Sequence, residues 1–162
     1  MKQSIPSASP KTFSFAENMA DGLKTHETSL SLMYNTESVL RGEIATARIT
    51  ATKAQTAADK DGKQFIVKTR DVLKPFLGTS WSQAWEQAGF QNGSLAVPPA
   101  IPTRMELLKR LQIHLTDNPT QENAPLQITK ALAESLHGAL SDAVSAVNAA
   151  KGELKTKKQA QS

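Results

Sequence analysis

The sequence predicts an all-α fold: an elongated antiparallel bundle of about four main helices with a short tryptophan-bearing helix. Three observations predict it. Ala16, Met19, Leu23, His26, Leu30, Met33, Glu37, Leu40, Ile44, Ala47, Ala51, Ala54 and Ala58 follow one another in alternating steps of three and four. That spacing keeps side chains on one face of a helix, here for about six heptads, as in a long helix packed lengthwise on partners. A second row of the same kind, Thr129, Ala133, Leu136, Leu140, Ala143, Val147, Ala150 and Leu154, runs toward the C-terminus. Two capping boxes, Ser14-x-x-Glu17 and Thr103-x-x-Glu106, mark helix starts, because hydroxyl and carboxylate each satisfy a backbone N–H that the first turn leaves orphaned.

The elements follow in order. Residues 1–12 are Ser/Pro-rich and have nothing to bury, so they read as a disordered tail. The first helix starts at Ser14 and is continuous to about Ala58. Gly22 and Gly42 interrupt its propensity but not its phase, each at about 1 kcal/mol relative to Ala. At 1.5 Å per residue a helix of roughly 45 residues spans about 67 Å, more than the roughly 40 Å of a compact domain of this length. Hence either the molecule is elongated, the favoured expectation, or the helix breaks near Gly42. Asp59 to Lys63, with Gly62, is the first turn candidate, with a polar helix running through it as the alternative. A second helix carries Phe65, Thr69, Val72 and Phe76 on one face, with Ile66, Leu73 and Leu77 beside it, and Pro75 and Gly78 close it. Ser80-x-x-Gln83 caps a short helix that presents Trp81, Trp85 and Ala88, and Gly89 stops it. Phe90 to Pro102 is a loop with a turn at Asn92-Gly93. The third helix presents Leu107, Leu108, Leu111 and Leu115 and stops at Asp117-Asn-Pro119. The fourth begins near Pro125, which a first turn tolerates. This gives one helical-bundle domain over 13–158, with 159–162 as a fraying C-terminal tail.

Composition narrows the function classes. Of 162 residues 39% are hydrophobic, and aromatics are confined to five Phe, two Trp and one Tyr. Small residues fill the deficit, which suits closely approaching helices better than a thick core. With no cysteine, disulfide scaffolds, zinc fingers and thiol nucleophiles are excluded. No apolar run is long enough for a membrane span or a signal-peptide core, so no membrane association is expected and the protein is assigned to the cytoplasm. The net charge of +4 is too small an excess to name a partner.

No catalytic, cofactor or metal residues emerge. Glu134-x-x-His137 has the ligand spacing of carboxylate-bridged metal bundles, but these need a second such pair, and Leu23 and Leu111 stand where His26 and His114 would need a Glu. His26-Glu27 opens a zinc-protease pattern that Leu30 breaks. Glu37 and His26 interrupt an otherwise apolar stripe, where a polar residue fixes the register of a coiled coil. An antiparallel alignment of the first and last helices puts Glu37 near His137. Trp81, Trp85 and Phe90 read as the core closing one end of the bundle, with a binding patch as the alternative. Residues 41–75 carry eight basic side chains (Arg41, Arg48, Lys53, Lys60, Lys63, Lys68, Arg70, Lys74) against Glu43, Asp59, Asp61 and Asp71. This interleaving suits a solvated face better than a phosphate-binding surface. There is no dinucleotide glycine pattern, phosphate loop or nucleophile elbow. The expectation is therefore a structural or protein-interaction bundle, not an enzyme, acting on its own copies or another protein. A basic nucleic-acid-associated protein is the alternative, and a metal-binding bundle enzyme a distant third.

Overall fold

The computed structural model describes residues 15–159, so Ser14 of the first capping box and the tail 1–12 lie outside the described residues. The chain is an all-α bundle. Helix α1 runs Phe15–Leu77, α2 Gln83–Gln87, α3 Ile101–Asp117 and α4 Lys130–Gln159, with two 3-10 turns, Pro119–Gln121 and Ala124–Leu126, between α3 and α4. By its internal contacts the chain divides into two units, one ending at Glu43 and one beginning at Ile44.

The second unit holds the core. Phe65, Ile66 and Leu73 of α1 cluster with Trp85, Phe90, the leucines 107, 108, 111 and 115 of α3, Ile128, and Ala133 and Leu140 of α4. Trp85 is fully buried and meets Phe90 edge to face at 5.2 Å, a favoured aromatic geometry. Its indole N–H donates to the Gly78 carbonyl at 3.0 Å, and that of Trp81 to the Phe90 carbonyl at 3.0 Å. The aromatic cluster is thus core, as its spacing implied.

Several boundaries differ from the sequence expectation. Asp59 to Lys63 is not a turn: α1 passes straight through it. Asp59 and Lys63, one helical turn apart, pair at 2.9 Å. Gly62 is buried against α3, and a Cβ at that position would stand 3.1 Å from Cδ1 of Leu108. Helix α1 and the expected second helix are therefore one element. Pro75 falls in its last turn, and it ends at Gly78, whose φ of +96° lets its N–H return to the Lys74 carbonyl at 2.9 Å. Ser82, not Ser80, precedes α2. Helix α3 starts at Ile101 with Pro102 in its first turn, so Thr103 is interior, and Glu106 pairs with Arg110 at 2.9 Å instead of capping. Pro125 sits in a 3-10 turn. Helix α4 begins five residues later, where Thr129 Oγ1 accepts the Leu132 N–H at 3.2 Å and Glu122 Oε1 that of Lys130 at 2.7 Å.

The packed face of α1 also rotates. In the second unit it runs through Ile44, Ala51, Gln55, Ala58 and Asp59, Gly62, Phe65 and Ile66, Thr69 and Leu73, while Ala47 and Ala54 are exposed. These steps average the 3.6 residues of a straight helix. Of the alanines extrapolated from the N-terminal half, Ala51 and Ala58 fall on this face and Ala47 and Ala54 do not.

Candidate interaction surface

The first unit offers a site of one kind. Along α1 up to Glu43, Met19, Leu23, Leu30, Met33 and Leu40 are all exposed, Leu23 at 65% and Met33 at 70%. Tyr34 is exposed at the edge of this row, whereas Leu32 and Val39 are exposed on another face of the helix. The alternating spacing of Met19, Leu23, Leu30, Met33 and Leu40, read from sequence as a buried seam, sets them in one exposed, largely apolar row on one helix face. His26 lies within it, exposed, and Glu37 lies within it, partly exposed, with its Oε1 2.6 Å from Nη2 of Arg41 one turn on. Thr25, Thr28, Ser29 and Thr36 donate their hydroxyls to carbonyls four residues back. That habit satisfies the hydroxyls within the helix at a small loss of helix stability. A Cβ at Gly22 or Gly42 would meet nothing within 4 Å, so neither glycine is held by a neighbour's close approach.

In the second unit a buried ion pair serves the fold. Arg104, only 3% exposed, places Nε 2.6 Å from Oδ1 of Asp59 and donates through Nη1 to the Pro98 carbonyl at 2.7 Å. Burial disfavours the Asp59 carboxylate, but hydrogen bonds and charge from Lys63 and Arg104 outweigh it and hold its pKa below the ordinary carboxylate value. On the surface, a hydrogen bond from Lys74, with Arg70 beside it, lowers that of Asp71. Arg70 Nη1 also donates to the Leu95 carbonyl at 3.3 Å, so two arginines pin the loop before α3. Nothing in the sequence distinguished Arg104 from a surface arginine.

A cleft of about 790 Å³ lies between Lys68, Val72, Pro75 and Phe76 of α1 and residues 120–127. Phe76, expected on the packed face, is exposed there, because the buried row continues through Thr69 and Leu73 instead. The opposite wall is held by mutual backbone bonds of Asn123 and Ile128 at 2.8 and 2.9 Å, by the left-handed Gln127, and by His114 Nε2 at 2.8 Å from Gln121 Oε1. The rim carries Lys68, Asp71 and Glu122, of mixed sign, with no convergent acid–base pair. His137 is half-buried and Glu134 exposed on α4. Among the described residues no three His, Cys, Asp or Glu side chains gather where a metal ion could sit, and no helix is long and apolar enough to cross a membrane. No protein-family model, curated protein or solved structure matches the chain.

Proposed function

We propose that the chain is a protein-interaction module whose working surface is the apolar row of α1 between Met19 and Leu40. The observation that carries this reading is the exposure of Met19, Leu23, Leu30, Met33 and Leu40 on one helix face. Most helix stability in proteins comes from burying an amphipathic face, and a contiguous exposed row of large apolar side chains marks an association site. Each such side chain is worth about 1.5–3 kcal/mol when fully buried. Another polypeptide helix supplies that burial, and on this reading the chain performs no reaction of its own. The nucleic-acid alternative draws less support: Arg41, Lys63, Arg70 and Lys74 are engaged with Glu37, Asp59 and Asp71, which leaves less free charge for a polyanion.

The test compares the tagged full chain with its Leu30→Asp/Met33→Asp variant. Proteins that bind the first and not the second are identified by mass spectrometry, a second copy of the chain included, and each complex is rebuilt from purified components. A complex lost with the double substitution, while the melting of the second unit is unchanged, is the expected result. Equal binding by both chains, or binding that vanishes only with nuclease treatment, overturns the reading.

A further inference from the structure

The row contains two polar residues, and their positions select a partner. In heptad terms Leu23, Leu30 and Glu37 are equivalent, as are Met19, His26, Met33 and Leu40, the two sets forming the seam. We propose that this segment pairs with the same segment of a second copy, antiparallel, with Leu30 against Met33 of the second copy; the proposal rests on the interaction reading above.

The register follows from charge complementarity. With Leu30 opposite the second copy's Met33, Leu23 meets its Leu40, and His26 meets its Glu37. Two-fold symmetry repeats each layer, so both polar residues of both chains face a partner of complementary chemistry and every other layer is apolar. The Arg41 contact does not compete, because a carboxylate has lone pairs for more than one donor. Flanking positions agree: Glu27 meets the second copy's Tyr34, Ala20 its Arg41, and Ser29 its Thr36, with no like charges opposed. The alternatives fail on the same ground. A parallel, in-register pair sets Glu37 against Glu37 and His26 against His26. Sliding the antiparallel pair by one heptad sets Glu37 against Met33 or Met19. A polar residue in a seam fixes orientation and register in this way.

The chain has no cysteine, so Asp21→Cys and Thr28→Cys, made separately in the full chain, each give one spin-label site at equivalent outward heptad positions. Sedimentation is expected to show a dimer. In the proposed register the two labels at position 21 are about 32 Å apart along the axis and those at position 28 about 10 Å, from 1.5 Å per residue. A parallel pair gives the same distance at both sites. His26→Glu alone opposes two carboxylates in each polar layer and weakens the dimer by about tenfold or more. Adding Glu37→His restores opposite partners and recovers it. Equal label distances, a double variant as weak as His26→Glu, or a monomer up to sub-millimolar concentration overturns self-pairing. A monomer that still binds another protein through Leu30 and Met33 leaves the interaction reading standing, whereas indifference to Leu30→Asp/Met33→Asp removes that reading itself.

Discussion

Arg104 makes the sharpest stability prediction. Its guanidinium is buried, bonded to Asp59 and to the Pro98 carbonyl, and so ties α1, α3 and the intervening loop to one point. Arg104→Met keeps most of the side-chain volume and removes the charge. Breaking one side of a buried pair costs about 3–5 kcal/mol, because the other charge is left uncompensated. Asp59 keeps Lys63 at 2.9 Å, which places the loss near the lower end, about 3 kcal/mol. For a unit of this size that lowers Tm by roughly 10–15 °C. Removing Asp59 as well eliminates both charges, so Asp59→Ala/Arg104→Met should lose clearly less than the sum of its single variants. The pair also sets acid sensitivity. The folded-state pKa of Asp59 is depressed, so its contribution is present above the unfolded value of about 3.9 and is lost as pH falls through the lower folded value. Urea denaturation at neutral pH and at successively lower pH checks both points. A Tm change under about 3 °C for Arg104→Met, or an acid limb unaltered by Asp59→Asn, would refute the reasoning.

Other substitutions probe the packing. The Thr69 hydroxyl is fully buried without a hydrogen-bond partner, so Thr69→Val, close in shape, should stabilise by about 1 kcal/mol in chemical denaturation; destabilisation would reveal a partner for the hydroxyl. Gly89 has φ +107°, and a Cβ there would lie 2.7 Å from Cβ of Arg110. Gly89→Ala should therefore lose at least about 2 kcal/mol, against little change for Ala at Gly22 or Gly42 beyond a gain in helicity. Ala47→Leu should leave the melting temperature nearly unchanged, while Ala150→Leu, at a buried position of α4, should overpack and cost about 1–3 kcal/mol.

Periodicity carried most of the fold. The leucines of α3 and, in the α4 row, Ala133, Leu140, Ala143, Val147 and Ala150 are buried as their spacing implied, with Leu136 partly buried, since amphipathic period depends on the chain alone. What periodicity could not specify is which rows find a partner inside the chain. The same spacing that is core at Leu107 and Leu111 is bare surface at Leu23 and Leu30, because a pattern states that a face must be covered and not by what. Gly62 looked like a turn signal, whereas it lies inside α1 and close to Leu108, and only the position of α3 reveals that. Arg104 was silent for a similar reason: its partner Asp59 is 45 residues away in sequence, and pairing at that separation leaves no local trace. Thr103 and Ser80 matched cap patterns, yet Pro102 and the chain entering α2 set the starts elsewhere. Such starts are the least reliable part of any pattern reading.

The central claim is that the apolar row of α1 is covered by another chain. Hydrogen exchange along the chain over a wide concentration series, with and without Leu30→Asp/Met33→Asp, tests it most directly. The account predicts that amides of α3 between Leu107 and Leu115 stay protected at every concentration. Those of residues 18–43 should exchange quickly in the dilute monomer, slow markedly as copies associate, and remain fast at all concentrations in the double variant. Protection of residues 18–43 in the dilute monomer equal to that of α3, and indifferent to the double substitution, would contradict the account.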